Sequence, residues 1–399
     1  MTAPAAHPHS SSAVQSAAAL RRSLAAAIAA ISMVGFAMSM SYPLFALSLE
    51  RMGASNLQIG INAAAPAVAM LIGVPLMPAV IARIGLPRLL IGAALLIATS
   101  LLLLRPFEDI AVWTGLRFFF GLGVAAAFFG SELWIVAAAP RAWRGLLIGV
   151  YGVFLSLGFL GGAATLQAMN IDSWTPFLTA AALALAAIVP VVHARADAPR
   201  DMGGPRRPLW ASVAAFRSDP TVMAAVCVFG MIESGAFAML PIWGLGIGMS
   251  AHDAIGLAVW IAVGNLALQV PLGFAADRVN RRALIVVAAL TCAIGAWLMA
   301  HLAPGGIGLT LTVIAVGGMA VALYSVSLTE LGARYEGEAL SRATAAFLVS
   351  YAIGALVAPP AMGAMADRFP PHGMLWVVGA AGAGCAALAL MRAILRRSG

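Results

Sequence analysis

Twelve windows of predominantly apolar residues follow one another along this sequence, separated by short polar segments. A helix of about 20 residues crosses a bilayer core, because that core is about 30 Å thick and a helix rises about 1.5 Å per residue. Lipid offers the backbone no hydrogen-bond partners, so such windows span the membrane as helices. We therefore predict an all-α membrane protein with twelve transmembrane helices. The predicted spans are 24–49, 57–82, 88–106, 110–138, 145–168, 174–194, 219–246, 254–276, 282–302, 307–332, 340–365 and 373–393.

The arginines predict which helix ends face the cytoplasm. The chain has 23 arginines and no lysine, and nineteen of these lie in the tails and the even-numbered connections. The odd-numbered connections hold three, which are Arg51, Arg105 and Arg368. Cytoplasmic loops of membrane proteins carry the excess of basic residues. We therefore predict that both termini are cytoplasmic, in a multi-pass protein of the bacterial inner membrane.

The residue types that are missing exclude several kinds of chemistry. Without lysine the chain has neither a G-x-x-x-x-G-K phosphate loop nor a Schiff-base residue, which argues against ATP-driven transport. The cysteines lie dozens of residues apart in apolar windows, and the histidines form no H-x-x-x-H pair. The alternation of basic loops argues against nucleic-acid binding. We expect no enzyme activity, no cofactor and no protein-bound metal.

The polar segments divide the chain into two related halves. We predict a disordered cytoplasmic tail over 1–20, a six-helix bundle over 21–194, a cytoplasmic linker over 195–218 and a second six-helix bundle over 219–399. An offset of 195 residues superposes the halves, as expected for a duplicated transporter fold. This offset superposes Gly35, Ser39, Gly53, Ser55 and Arg83 on Gly230, Ser234, Gly248, Ser250 and Arg278.

The connection after the eighth window reads G-F-A-A-D-R-V-N-R-R over residues 273–282. It resembles the G-x-x-x-D-R-x-G-R-R loop of the major facilitator superfamily, with Asn280 in place of the second glycine. In such a loop an aspartate can cap a helix and pair with an arginine across the bundle, which latches one conformation. Asp277 is the predicted latch, with Arg342 or Arg334 as its partner. Its flanking latch residues are Arg278 and Arg282.

The corresponding connection of the first half reads A-R-I-G-L-P-R. It keeps Arg83, Gly85 and Arg88 but has Ala82 where the aspartate is expected. We therefore expect the first half to lack this latch.

Further motifs extend the resemblance over nearly the whole chain. R-F-F-F-G-L-G at 117–123 resembles the arginine motif of the family's fourth helix, often linked to proton coupling. G-F-L-G-G at 158–162 resembles the antiporter motif, but Phe159 replaces its proline, so glycines for helix packing are the preferred interpretation. The segments similar to the YcaD-type subgroup are S-E-L-W at 131–134, G-M-I-E-S-G-A at 230–236, L-Q-V-P-L-G at 268–273, L-Y-S-V-S-L-T-E at 323–330 and V-S-Y-A-I-G-A at 349–355. The resemblance implies a cavity lined by helices 1, 4, 7 and 10.

Glu233 is the foremost candidate for function. It lies near the bilayer midplane in the seventh window, where the repeat places Met38 in the first half. Placing a charged carboxyl group in hydrocarbon costs about 3 kcal/mol of free energy. A carboxyl group found there is therefore first considered as a functional residue. It is suited to carry a coupling proton or to meet a cationic substrate. The alternative is a permanently neutral carboxyl bonded to Ser234 or a backbone carbonyl.

Arg117 and Glu132 lie near opposite ends of the fourth window. They are about 22 Å apart along the helix and about 60° apart around it, so they share a face without touching. For Arg117 we expect a role in the cavity or in coupling, with structural bonds to carbonyls as the alternative. For Glu132, an ion pair with Arg141 or Arg144 and a cavity role remain equally open. Glu330 is expected to pair with Arg334 one helical turn away.

Other polar and aromatic residues complete the predicted cavity wall. They are Tyr42, Tyr151, Trp243, Asn265, Gln269 and Tyr324. For each one, a helix contact or an interfacial position is the alternative role.

These features predict a secondary transporter that moves a small organic solute, coupled to protons, as a monomer in the bilayer. A non-transporting assembly factor or sensor with the same fold is one alternative, because fold does not fix function. A lipid flippase is another, and it would not require Glu233.

Overall fold

A computed structural model describes residues 17–140, 143–199, 219–335 and 337–395. Within these ranges, twelve long apolar helices cross the molecule in the order that the sequence predicts, which confirms the fold class. We number them α1 (Ala17–Arg51), α2 (Asn56–Ile84), α3 (Leu86–Leu104), α4 (Ile110–Ala138), α5 (Arg144–Gln167), α6 (Thr175–His193), α7 (Pro220–Gly246), α8 (Ala251–Arg278), α9 (Arg281–Met299), α10 (Ile307–Arg334), α11 (Gly337–Arg368) and α12 (Gly373–Leu395).

The helix ends differ from the predicted ones by a few residues. The largest difference is at the start of α1, which begins at Ala17 and not at residue 24. Its first turns are held within the first half, because Arg22 pairs with Asp197 and the Trp134 indole donates to Ser23 Oγ at 2.8 Å. Residues 1–16 of the predicted tail over 1–20 and residues 200–218 of the predicted linker over 195–218 lie outside the described residues, whereas residues 17–20 belong to α1 and not to a disordered tail. The two-bundle boundaries remain predictions.

The turns between α1 and α2 and between α7 and α8 share one design. Gly53 and Gly248 have φ values of +79° and +87°, in the left-handed region that glycine adopts without a steric penalty. Two residues later, Ser55 and Ser250 cap the next helix, because each hydroxyl accepts from a backbone N–H three residues on. This match supports the 195-residue offset between the halves.

The turns between α2 and α3 and between α8 and α9 differ at one matched position. Gly85 has φ +82°, whereas Asn280 has φ −62° and caps α9 through bonds to the N–H groups of Arg282 and Ala283. The departure from the family motif at Asn280 therefore has a structural reason. The backbone there needs no glycine, and an asparagine is a good N-cap.

Glycines let paired helices approach to backbone contact. A Cβ on Gly158 would lie 2.4 Å from Ser32 O, and one on Gly162 would lie 2.2 Å from Phe36 O. Both contacts join α5 to α1. They support helix packing as the role of the G-F-L-G-G segment.

The halves meet mainly at one end of the molecule. We call the helix ends near Arg51, Arg105 and Arg368 the arginine-poor end, and the opposite ends the arginine-rich end. At the arginine-poor end, α2 packs on α11, and the Gln167 amide of α5 donates to His252 O of α8 at 3.2 Å. Nearer the middle, Ser156 of α5 donates to Gln269 of α8 at 3.0 Å. The described contacts therefore close the arginine-poor end.

Candidate functional site

Glu233 lies at the midpoint of α7 and is half-buried. The Tyr351 hydroxyl, on α11, donates to Glu233 Oε2 at 2.8 Å. The rings of Tyr351 and Tyr324 both pack against Phe229, at centroid distances of 5.9 and 5.0 Å. A carboxyl group and two tyrosines from three helices therefore form one cluster.

The local sequence explains how α7 brings Glu233 to Tyr351. A Cβ on Gly230 would lie 2.3 Å from Tyr351 O, and one on Gly354 would lie 2.0 Å from Cys227 O. The two helices are therefore in backbone contact on both sides of the pair. The Ser234 hydroxyl donates to Ala355 O at 3.2 Å, so its bond goes to α11 and not to Glu233.

Tyr42 connects this cluster to the first half. Its ring packs against Phe237 of α7 at a centroid distance of 6.2 Å. Its hydroxyl lies within electrostatic reach of both Arg117 and Glu233. The structure thus brings together three predicted residues from α1, α4 and α7.

Arg117 is buried among aromatic rings, with 1% of its surface exposed. Its guanidinium carbon lies 4.7 Å from the ring centroid of Tyr42, 4.5 Å from that of Phe45 and 4.9 Å from that of Phe120. Such cation–π contacts offset part of the desolvation cost of a buried cation. Nε and Nη1 have no hydrogen-bond partner among the residues that the structure describes. The expected alternative, bonds to backbone carbonyls, is not seen for these two atoms.

Glu132 is exposed, although it lies on α4 beside buried residues. Tyr151 and Tyr324, from opposite halves, are both within its electrostatic reach. The neighbouring Ser131 hydroxyl is hydrogen-bonded to the Tyr151 hydroxyl at 2.9 Å. Glu132 therefore faces an open space between the halves, on the arginine-rich side of Glu233. Arg141 and the Arg144 side chain, its predicted ion-pair partners, lie outside the described part of the chain.

The remaining predicted wall residues lie in different environments. Gln269 of α8 accepts a hydrogen bond from Ser156 of α5 and so connects the two halves. Asn265 Oδ1 is buried without a hydrogen-bond partner among the described residues. Trp243 is buried at the arginine-poor end of α7, where its indole donates to His372 Nδ1 at 3.3 Å. The structure thus places Trp243 away from Glu233, in a contact within the second half.

The predicted latch falls partly outside the described residues. The side chains of Asp277 and Arg342 are not described, so their pairing remains a prediction. Arg334, the other partner considered, forms ion pairs with Asp219 and with Glu330. The Glu330 pair is the helical one expected from their spacing.

The other latch residues lie near the arginine-rich end. Arg282 Nε lies 3.8 Å from Glu330, and Arg278 lies over the Phe274 ring at 5.6 Å. Arg83 is exposed, and Gly85 forms the turn described above.

Tyr351 was missed as a site residue by sequence reasoning. Its segment supplied part of the family resemblance, but its partner Glu233 lies 118 residues away. A signal was present in the composition, because the chain has five tyrosines and this one falls deep within an apolar window. Four of the five, from α1, α5, α10 and α11, lie around the two carboxylates of the site.

Comparisons with known proteins agree with this architecture. The family model described as Major Facilitator Superfamily matches residues 27–266 and 252–398. The uncharacterised transporter YfkF of Bacillus subtilis is 24% identical over 66% of this chain and 68% of its own length. The uncharacterised transporter YcaD of Escherichia coli is 24% identical over 76% of this chain and 78% of its own, which confirms the resemblance to the YcaD-type subgroup.

Solved structures share the fold at low sequence identity. A crystal structure of the nucleoside transporter NupG matches with a TM-score of 0.77 and 10% identity. The match covers 94% of this chain and 99% of that one. At this identity the match shows the arrangement of the helices and nothing about the solute.

Proposed function

The chain belongs to the major facilitator superfamily of secondary transporters, and we propose that it couples the movement of a small organic solute to protons through Glu233. Transporters of this fold work by alternating access around a site near the bilayer midplane, between the two halves. We place the protein in the bacterial inner membrane with both termini in the cytoplasm, because of its arginine asymmetry.

The main support for this proposal is the position of Glu233 and its surroundings. An ionisable residue at the middle of a spanning helix is costly and needs a functional or structural reason. Glu233 is half-buried, and its described hydrogen bond comes from a neutral hydroxyl and not from a cation. A carboxyl group without a fixed countercharge can exchange a proton with a solute pathway. In a purely structural role, a neutral amide would serve the same contact with Tyr351.

The contacts between the halves support an inward-facing state. They close the arginine-poor end, which the positive-inside rule assigns to the periplasm. Exposed Glu132 lies on the cytoplasmic side of Glu233 in this orientation. A proton released from Glu233 would therefore leave toward the cytoplasm past Glu132 and the hydroxyls of Tyr151 and Tyr324.

The test uses the purified full chain in vesicles that enclose a pH-sensitive dye. A panel of small organic solutes is added outside, and proton movement driven by each solute is recorded. We expect at least one solute to move protons with wild type but not with Glu233→Gln. A rate of solute transport that does not change when a pH gradient is imposed would contradict the proposal. A flippase would instead move labelled lipid in the same vesicles and would do so equally with Glu233→Gln.

A further inference from the structure

Two donors of Arg117 that have no partner among the described residues suggest what kind of solute this site takes. Three rings surround the guanidinium, at 4.5 to 4.9 Å from its central carbon. Among the described residues, Nε and Nη1 have no acceptor and Arg117 has no carboxylate partner. A buried arginine without a counterion is expensive, so a ligand that supplies one is favoured.

Arg117 is covered in this conformation by a side chain at the boundary between the halves. Tyr42 stacks on the guanidinium and also contacts Phe237 of the second half. Separation of the halves at the arginine-poor end would break the Tyr42–Phe237 contact. That movement would open Arg117 toward the arginine-poor end.

We propose that Arg117 binds the anionic group of the solute, a carboxylate or a phosphate. The planar guanidinium presents parallel N–H donors that match such groups in a bidentate way. The rings that shield the cation would also pack against the apolar body of an organic anion. This proposal rests on the proposed transport function and deepens it by naming the substrate class.

The test measures thermal stabilisation of the purified full chain by acetate, benzoate, succinate and inorganic phosphate, with chloride at equal ionic strength as the baseline. We expect at least one anion to stabilise wild type, with binding at least about tenfold weaker in Arg117→Gln. Arg195→Gln, at an exposed arginine outside the latch and the cavity, is the matched control and should behave as wild type.

Lack of stabilisation of wild type by every anion in the panel would overturn this assignment, whether or not Arg117→Gln folds. Equal stabilisation of Arg117→Gln and wild type would also overturn it. Glu233→Gln should keep the anion effect. A failure of proton coupling is therefore distinguishable from a failure of anion binding.

The spacing G-x-x-x-D-R occurs twice in this sequence. The segment G-A-M-A-D-R at 363–368 repeats the G-x-x-x-D-R spacing of G-F-A-A-D-R at 273–278. The two copies lie at opposite ends of the molecule. The copy at 273–278 ends α8 at the arginine-rich end, whereas the copy at 363–368 ends α11 at the arginine-poor end.

The copy at the arginine-poor end caps a helix of the other half. Asp367 Oδ1 accepts from Asn56 N at 3.0 Å and from Asn56 Nδ2 at 2.8 Å, and Oδ2 accepts from Leu57 N at 2.9 Å. The next N–H, that of Gln58, donates to the local cap Ser55. The first N–H groups of a helix lack partners within it and carry the positive end of its dipole. Asp367 therefore supplies both hydrogen bonds and charge to the start of α2.

The glycine of the pattern allows this capping. A Cβ on Gly363 would lie 2.1 Å from Asn56 O, and one on Gly60 would lie 2.2 Å from Pro359 O. The backbones of α2 and α11 therefore touch, which brings the Asp367 carboxylate to the first turn of α2. Any side chain at Gly363 would push the two halves apart at this end.

We infer that residues 363–368 form a latch that holds the arginine-poor end closed and must release in each transport cycle. The pattern at 273–278 would then serve the opposite closed end. The chain would then use the same G-x-x-x-D-R segment to hold each of its two ends closed in turn. The first half lacks the aspartate in its own connection after α2.

The test attaches spin labels at Gln58→Cys and Asp253→Cys, on opposite halves at this end, after replacement of the three native cysteines by alanine. Distance distributions are recorded with and without Asp367→Asn. We expect the ratio of separated to closed molecules to rise by about tenfold in the variant, because charged hydrogen bonds are lost. Glu108→Gln, at an exposed carboxylate near the same end, is the matched control and should leave the distances unchanged.

Gly363→Ala should shift the distances in the same direction as Asp367→Asn, through steric contact with Asn56 O. Unchanged distances in both variants would overturn the latch. The readout needs no solute, so it is independent of the proton-coupling and anion proposals.

Discussion

The hydroxyl of Tyr351 donates a 2.8 Å hydrogen bond to Oε2 of Glu233, between two helices whose backbones touch on either side of the pair. The contact joins α7 to α11 within the second half. It leaves the rest of the carboxyl group facing the tyrosines of α1 and α10, which lie within its electrostatic reach. A movement of α7 relative to α11 would change the environment of the carboxyl group directly.

Tyr351→Phe tests this contact, because it removes the hydroxyl and keeps the ring that packs on Phe229. We expect the rate of proton-coupled flux in vesicles to fall by about tenfold, the effect of one hydrogen bond to a charged group. Thermal stability should change little. Tyr335→Phe, at the end of α10 outside the spanning part, is the control. Equal flux in wild type and Tyr351→Phe would show that the hydroxyl has no role in coupling.

The fold could be predicted from sequence because its signal is local. Each spanning helix is an apolar window of about 20 residues or more, and a single segment in lipid satisfies its own backbone hydrogen bonds only as a helix. The turn glycines Gly53 and Gly248 and their serine caps are local as well. The start of α1 could not be placed, because residues 17–23 owe their position to contacts with Asp197 and Trp134.

The site could be predicted only in part, because its partners come from distant windows. Glu233 and Arg117 stand out as ionisable groups in apolar surroundings. Phe120 follows Arg117 by one helical turn, but Tyr42 and Phe45 come from α1, more than 70 residues earlier. Gln269 and Asn265 share a helix face, yet the sequence does not reveal that one of them bonds to Ser156.

Gly264→Ala tests the packing of α8 against α10. A Cβ at Gly264 would lie 2.1 Å from Ile314 O, so the helices must separate or the backbone must shift. Overpacking of this kind costs about 1–3 kcal/mol, and we expect a lower Tm of the purified protein. Gly332→Ala, in α10 with no atom within 4 Å of its Cβ, should leave the Tm unchanged or raise it. Similar Tm changes in the two variants would mean that close helix approach is not the cause.

His372 makes the stability of the protein depend on pH at the arginine-poor end. Burial lowers the pKa of His372 below its ordinary value, and nearby His301 lowers it further. The folded protein thus favours neutral His372, whose Nδ1 accepts from the Trp243 indole. As the pH falls below about 6.5, the unfolded chain takes up a proton before the folded one does. His372 therefore makes its full contribution to stability above that pH. The contribution is lost as the pH falls through the pKa that His372 has in the folded protein.

The measurement is the Tm of wild type and His372→Gln in detergent over about pH 8 to 5. Wild type should lose more stability than His372→Gln on acidification, since glutamine takes up no proton and can still accept from Trp243. A parallel decline in the two proteins would contradict this assignment. His301→Gln should reduce the difference.

Solute-driven proton movement in vesicles tests most directly whether Glu233 carries the coupled proton. For a solute that wild type transports, Glu233→Gln should reduce proton movement and gradient-driven solute flux to the level of empty vesicles. Its Tm should remain close to that of wild type, because the amide can still accept from Tyr351. Gradient-driven flux that persists undiminished in folded Glu233→Gln would contradict the account.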